Sequence, residues 1–388
     1  MQAAAGLMLG TVLHRKRMAF PCLAPCGNEQ ERVDLSKRSR REQMLTLREV
    51  RSLPDDLSPD DHELLARIAY GSYIDGRTQE EIAQEFGLSR PKVQRLLERA
   101  RQAGIVEIHI EAPPGLHLDL ESQLVEAFRL DAAIVSPARA EPDAQREAVA
   151  RSAARFLERR LADGMVVAVS HGRDTGEVPR FFRPTQRLDV VFASAMGGSP
   201  RVDNPTNPNE ICTALADRCG GRAEGLYAPG YVENAEMRDR LFREEAVAHT
   251  LGTAARADIA LVGIGGTDDG CTMVRSGCLS LDEIARLREA GAVGDVLGNY
   301  VDVRGTLIVA PHSQRLIALS IDELLRIGTV VAVASEREKP LAILGALRAG
   351  VIDVLIVDEG NARAVLEVGL AAPRDDAAPR SIQLEPAR

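Results

Sequence analysis

Between Thr78 and Ile110 the chain reads TQEEIAQEFGLSRPKVQRLLERARQAGIVEIHI, two short amphipathic segments with almost no linker between them. Thr78 is a good N-cap and Glu81 stands three residues on, a capping box that predicts a helix with Ile82, Ala83 and Phe86 on one face. Gly87 ends that helix. Leu88 supplies an apolar plug in the turn, Ser89 is placed to cap the next helix, and Pro91 falls in a first turn where a missing amide costs nothing. The second helix carries an apolar stripe of Val93, Leu96, Leu97 and Ala100, while Arg90, Lys92, Gln94, Arg95, Arg99 and Arg101 occupy its other faces with only Glu98 opposing them. Two helices joined by so short a turn must cross steeply. That arrangement is a helix-turn-helix, and its second helix is shaped for a major groove.

Ser58-Pro59-Asp60-Asp61 opens an earlier helix whose Leu64, Leu65, Ile68 and Ala69 supply a third wall, ending near Gly71. Beyond Gly104, Ile105 to Ile110 alternates in polarity like the wing strand of a winged helix. The residues expected to meet double-stranded operator DNA are Thr78 and Gln79 at the first helix start, then Ser89, Arg90, Lys92, Gln94 and Arg95.

Charge is informative because it is local. The chain as a whole carries a formal net charge of -9, which argues against non-specific nucleic-acid binding, and the absence of Trp with 3% aromatics argues against a stacking platform for single strands. Six cysteines, Cys22, Cys26, Cys212, Cys219, Cys271 and Cys278, have neither zinc-finger spacing nor the density of a secreted disulfide scaffold, so reduced thiols in a cytoplasmic protein are expected. No apolar run is long enough for a membrane span, and the first twenty residues place an apolar segment before the basic cluster, the reverse of a secretory signal. Neither a metal nor a cofactor is implied by any spacing.

With 388 residues and 45% hydrophobic composition, most of the chain lies outside this module and has a sizeable core of its own. Residues 1–55 lack periodicity and contain Arg15-Lys16-Arg17 and Lys37-Arg38-Ser39-Arg40-Arg41, reading as a disordered extension or as translation assigned too far upstream. Residues 56–112 form the DNA-binding module, the break at Ala112-Pro113-Pro114-Gly115 opens a second domain over 113–372, and 373–388 read as a disordered tail. In that second domain a helix with Leu118, Leu120, Leu124, Val125 and Phe128 precedes a strand at 132–135, and a long helix over 143–161 precedes the apolar strand 165–169. Strands at 189–195, 259–263, 306–310, 329–334 and 354–357 then alternate with helices at 210–218, 244–255, 281–290, 321–327 and 339–349. Repeated strand-helix units predict a doubly wound, Rossmann-like α/β domain, whose ligands bind beyond the carboxyl ends of strands where the order reverses.

Four stretches stand at such ends. Ser170-His171-Gly172-Arg173-Asp174-Thr175-Gly176 joins a buried strand to a helix, with backbone amides suited to phosphate or carboxylate. Gly263-Ile264-Gly265-Gly266-Thr267-Asp268-Asp269-Gly270 lets backbone approach a ligand closely. Gly291 to Gly298 reads as a loop whose Asp295 can accept from sugar hydroxyls. Glu336-Arg337-Glu338-Lys339-Pro340 sets Lys339 against a helix dipole, which an anionic partner would explain.

Read together, LSRPKVQRLLERARQAGIVEI, ALVGIGGTDDG, MVRSGCLSLDEIARLREAGAVGDVLGNYVD and VASEREKPLAILGALRAGVIDVLIVDEGNARAVL resemble the SorC family of sugar-binding bacterial transcriptional regulators, over residues 57 to 370. The resemblance implies a winged DNA-binding domain, an effector domain similar to sugar-phosphate isomerases, and a homotetramer whose DNA affinity changes when a sugar, polyol or sugar phosphate binds. Carried over by position, the effector site comprises Ser170, His171, Gly172, Arg173, Thr175, Gly263, Gly265, Asp295 and Lys339. SHGRDTG departs from the Trp-Gly-x-Thr pattern of many members, and SAMGGSPRVDNPTNPNEI lacks the Arg-Gly-Gly and Gln-Ala-Asn of phosphosugar binders. An unphosphorylated polyol or sugar is therefore a rival effector, with Asn204, Asn207, Asn209 and Glu210 as hydroxyl partners. The competing function is an isomerase- or deaminase-like enzyme using His171, Asp268 and Asp269 as an acid-base set. An attached DNA reader explains itself best through regulation, so the chain is expected not to be an enzyme.

Overall fold

The computed structural model describes residues 59–108, 113, 115–199, 206–335, 339–371 and 382–383. The chain divides into two units, residues 1–109 and 110–388.

In the first unit, α1 (Pro59–Tyr73), α2 (Gln79–Phe86) and α3 (Arg90–Gln102) enclose a core of Leu65, Ile68, Ala69, Ile82, Ala83, Val93, Leu97 and Ala100. The capping box forms as the sequence implies: Thr78 Oγ1 accepts from the Glu81 amide at 3.3 Å, and Glu81 Oε2 accepts from the Thr78 amide at 2.8 Å. Gly87 closes α2 at φ 62°, in the left-handed region that glycine enters without strain. Ser89 occupies the N-cap of α3 with extended backbone, although its hydroxyl makes no capping hydrogen bond. α1 ends at Tyr73, near Gly71 as expected. Gly71 itself is buried within the last turn, and the space a Cβ would fill faces the Ile82 side chain.

The wing is not formed by residues 105–108. Instead of awaiting a strand partner, the Ile105 and Val106 amides both donate to the Ala100 carbonyl, at 2.9 and 3.2 Å, and their half-buried side chains lie against the helical core. A lone strand has no ladder, so the free carbonyls at a helix end take these donors. His109 and Ile110 lie outside the described residues.

The second unit opens with α4 (Leu118–Phe128), β1 (Ala132–Ser136), α5 (Pro142–Arg160), β2 (Val166–Val169), α6 (Arg173–Phe181), β3 (Val191–Ser194), α7 (Pro208–Cys219) and β4 (Arg222–Glu224). It continues through α8 (Ala235–Leu241), α9 (Glu245–Ala254), β5 (Ile259–Gly266), α10 (Thr272–Arg275), α11 (Leu281–Glu289), β6 (Ala292–Val296), β7 (Asn299–Asp302) and β8 (Ile308–Val309). Then come α12 (Ile321–Leu324), β9 (Thr329–Ala334), α13 (Pro340–Arg348), β10 (Val354–Asp358), α14 (Glu359–Ala371) and β11 (Ile382–Gln383). The parallel strands lie in the order β1-β10-β9-β5-β2-β3-β4. From β2 the chain winds outward through β3 and β4, and from β5 it winds the other way through β9 and β10. The order therefore reverses between β2 and β5, the location at which an open α/β sheet presents a crevice. Apolar side chains cover both faces of the sheet in two separate clusters, which is why its strands read as continuous runs of Val, Ile, Leu and Ala.

Three expectations need correction. By its sequence the apolar stripe from Leu118 to Phe128 in α4 is a candidate for bringing two DNA-binding domains together, yet Leu120, Leu124 and Phe128 are buried in the core of this unit, and the Glu121 side chain accepts from the Val135 amide of β1 at 2.9 Å. The stretch Gly291 to Gly298 is not a loop but β6 with the turn into β7, an antiparallel hairpin continuing from the tip of β5. Leu297 and Gly298 have φ 55° and 75°, the left-handed pair that matches the twist of a two-residue hairpin turn. The tail expected to lack structure contributes β11, which runs parallel to β8 and pairs with its open edge. The expectations for residues 1–55 fall outside the described residues. Among those described, no helix is long and apolar enough to cross a membrane.

Candidate functional site

On the first unit every polar side chain assigned to α3 is exposed: Arg90, Lys92, Gln94, Arg95, Arg99 and Arg101. Glu98, the single opposing charge, accepts from Gln94 Nε2 at 3.2 Å. Thr78 and Ser89 are exposed and Gln79 half-buried. The Thr78 hydroxyl is committed to its capping box, so at this position it is first a structural group.

On the second unit, a cleft opens at the carboxyl ends of β2 and β5. It encloses about 420 Å³, its open mouth included, and is lined by His171, Gly172, Arg173, Asp174, Gly263, Ile264, Gly265, Gly266, Thr272, Met273, Asp295, Leu297 and Lys339. Residues far apart in sequence meet here because β2, β5, the β6-β7 hairpin and the start of α13 converge at one place. Of the expected effector residues, the cleft gathers His171, Gly172, Arg173, Gly263, Gly265, Asp295 and Lys339.

Asp295 is the most constrained of these. It is 3% exposed and lies across the antiparallel ladder from Gly265. A Cβ at Gly265 would run into the Asp295 carboxylate, so a side chain is excluded from that position. Asp295 Oδ2 accepts from the Gly298 amide at 2.8 Å, while Oδ1 is buried with no partner among the described residues. Burial pushes the carboxyl up to about 6, against the opposing pull of the Gly298 amide and of the Lys339 ammonium. Lys339, 7% exposed, donates from Nζ to the Ile264 carbonyl at 2.9 Å.

His171 is 6% exposed, and burial lowers its pKa to about 4, so the ring is neutral near pH 7. Its Nε2 lies 3.1 Å from Thr206 Oγ1, and Nδ1 has no partner among the described residues. Ser170 and Thr175 support the loop from behind. Ser170 Oγ accepts from the Gly263 amide at 2.9 Å, and Thr175 Oγ1 donates to the Gly172 carbonyl at 3.1 Å, closing the first turn of α6.

Asn209 is not in the cleft. Its amide ties α7 to the sheet: Oδ1 accepts from Ser194 Oγ at 2.6 Å and from the Leu226 amide at 2.8 Å, and Nδ2 donates to the Leu226 carbonyl at 3.1 Å. Its polar atoms are thereby occupied, which explains why an Asn is required there without a ligand. Asn207 caps the same helix. Asn204 lies outside the described residues. The acid-base set is not assembled either. Asp268 accepts from the Gly270 amide at 2.9 Å and Asp269 pairs with Arg288 at 2.8 Å, and neither lines the cleft with His171.

Four lining residues were not assigned to the site from sequence: Asp174 and Leu297, which lie inside two of the strand-end stretches, and Thr272 and Met273, which lie outside all four. Asp174, 4% exposed, accepts from the Ser335 amide at 3.2 Å and from the Ser335 hydroxyl, 161 positions away. Among the described residues, no group of three His, Cys, Asp or Glu side chains could hold a metal ion.

Residues 113–367 match the protein-family model described as "Putative sugar-binding domain", and residues 70–103 match Sigma-70, region 4. The erythritol catabolism regulatory protein EryD of Brucella abortus is 29% identical over 308 residues, 79% of this chain and 97% of that protein. The transcriptional regulator LsrR of Klebsiella pneumoniae is 34% identical over 312 residues, 79% of this chain and 93% of that protein. The crystal structure of the full-length sorbitol operon regulator SorC from Klebsiella pneumoniae superposes with a TM-score of 0.62 at 27% identity, covering 79% of this chain and 99% of that one. All three relatives are named as regulators. A helix-turn-helix unit ahead of a sugar-binding α/β unit, matched over nearly the full length of such relatives, places the chain in the SorC family of sugar-binding transcriptional regulators, as a sugar-responsive DNA-binding protein.

Proposed function

We propose that the cleft beyond β2 and β5 is the effector site and that occupancy of it sets the affinity of α3 for double-stranded operator DNA. The observation that carries this is the convergence of four separated segments, 171–174, 263–266, Asp295 and Lys339, on the point where the strand order reverses. In this reading Arg90, Lys92, Gln94 and Arg95 touch base edges and adjacent phosphates, with Thr78, Gln79 and Ser89 positioned beside them. The ligand is a small sugar, polyol or sugar phosphate. It changes DNA affinity only by as much as it prefers one arrangement of the protein over another.

One recognition helix covers too few base pairs for a specific operator, so the working species is a symmetric oligomer, a homotetramer built as a dimer of dimers, acting in the cytoplasm. The test is to incubate the full chain with a panel of sugars, polyols and sugar phosphates, reading DNA retention and turnover in parallel. A compound that changes retention without being consumed supports the proposal, and turnover of a sugar phosphate with unchanged retention overturns it. Light scattering at micromolar concentration checks assembly, where a monomer that still binds operator would exclude the tetramer.

A further inference from the structure

We propose that the cleft takes an uncharged polyhydroxylated ligand, a polyol or sugar bearing no phosphate or carboxylate, whose hydroxyls complete Asp295 Oδ1 and His171 Nδ1. This rests on the cleft being the effector site and names the chemistry of what enters it. Those two atoms are buried and have no hydrogen-bond partner among the described residues. An ionised carboxylate oxygen only accepts, so Asp295 Oδ1 needs a donor. His171 Nδ1 accepts or donates according to which tautomer the 3.1 Å contact from Nε2 to Thr206 Oγ1 selects. A hydroxyl both donates and accepts and satisfies the pair in either tautomer. A phosphate dianion donates to neither, so a phosphorylated ligand would have to turn its hydroxyls toward these atoms and lodge its phosphoryl group among the charges that line the rest of the cleft.

The charges lining the cleft point the same way. Arg173 and Lys339 are balanced by Asp174 and Asp295, and Lys339 is already held by the Ile264 carbonyl beside Asp295. The helix start at Arg173, where an anion would ordinarily be favoured, already has the buried Asp174 carboxylate in its first turn, fixed by Ser335. Arg146, 3.8 Å from Asp174, is itself bonded to Asp143 at 2.8 Å. Among the described residues, an incoming phosphate would meet two buried carboxylates without a surplus of positive charge, whereas a neutral ligand needs no counter-charge.

The experiment uses the full chain with a labelled operator fragment recovered by in vitro selection, read by fluorescence anisotropy and by thermal midpoint. The probes are erythritol, ribitol, glucitol and glucose, each beside its terminal monophosphate. The expected result is that a neutral member acts at lower concentration than its own monophosphate. Asp295→Asn, which exchanges an acceptor oxygen for a donor amide, should raise the concentration required at least tenfold. A monophosphate acting at equal or lower concentration than its parent overturns the inference while leaving the cleft as the effector site, and so does an unchanged midpoint in Asp295→Asn. Silence of both series in both readouts overturns the underlying reading of the cleft.

Discussion

Gly265 and Asp295 are cross-strand partners at the tip of β5, and the Asp295 carboxylate lies where a Cβ of Gly265 would stand. Gly265→Ala must therefore move either the carboxylate or the strand. We expect a stability loss of about 1–3 kcal/mol, typical of forcing a group into filled space. The response to effector should fail with it. Thermal denaturation and a ligand titration on the same preparation check both, and an unaltered titration would show that Asp295 does not need this position.

Lys339→Ala removes the donor to the Ile264 carbonyl and the cation beside Asp295. The carbonyl loses a buried donor, at a cost of about 1–3 kcal/mol, and the Asp295 carboxyl rises further. The effector midpoint should shift at least tenfold, with operator retention without ligand as the folding control. A variant that responds at the unchanged midpoint would place the site elsewhere.

Acidification should destabilise the second unit through its buried imidazoles. Burial lowers His171 and His312 to about 4 from 6.5, so the unfolded chain takes up their protons first and stability falls as pH drops from about 6.5 toward 4. Asp295 opposes them. Raised to about 6 from 3.8, its contribution is full below the lower value and is lost as pH rises through the upper one. Each imidazole should account for a loss on the order of 1–3 kcal/mol across the window. Urea unfolding at stepped pH should show this loss, steeper in Asp295→Asn. A flat profile would mean that the rings are not held neutral.

On the DNA-binding unit, alanine at Arg90, Lys92, Gln94 and Arg95 together should abolish specific operator protection, because all four side chains are exposed on one short helix. Singly, a base-reading Arg or Gln should cost about 1–3 kcal/mol and relax one position, while a phosphate-contacting Lys should weaken all sequences alike. Footprinting against selected and scrambled fragments separates the two, and continued protection by the quadruple variant would refute the assignment.

What was legible in the sequence was local. The Thr78-Glu81 capping box spans four residues and needs only its own backbone, so it could be read directly, and the apolar runs of β2, β5, β9 and β10 declared a sheet covered on both faces. Gly71 marked the end of α1 to within two residues, although its own place is one that makes room for Ile82. The hairpin of β6 and β7 was hidden by its glycines, and its turn places Leu297 in a conformation where Asn or Gly would have been the usual signal. Asp174 and Asn209 exchanged roles. Asn209 is surrounded by polar residues in sequence, yet its partners Ser194 and Leu226 are supplied by the fold, and Asp174 faces the cleft because Ser335, at the end of a distant strand, holds it there.

Strand β5 belongs to two ladders in succession. Its residues Ile259 to Gly263 are bonded in parallel to β9, with Ile259 to Leu261 also bonded to β2, while Ile264 to Gly266 are bonded antiparallel to β6. The first five residues are thus clamped in the parallel sheet, and the last three carry the hairpin that bears Asp295, itself packed against α13 where Gly294 meets Ala342. Lys339 holds the junction between the two ladders, through the carbonyl of Ile264. If the cleft takes the effector as proposed, a pull on Asp295 loads β5 beyond that junction, through the β6 ladder and not through the parallel sheet.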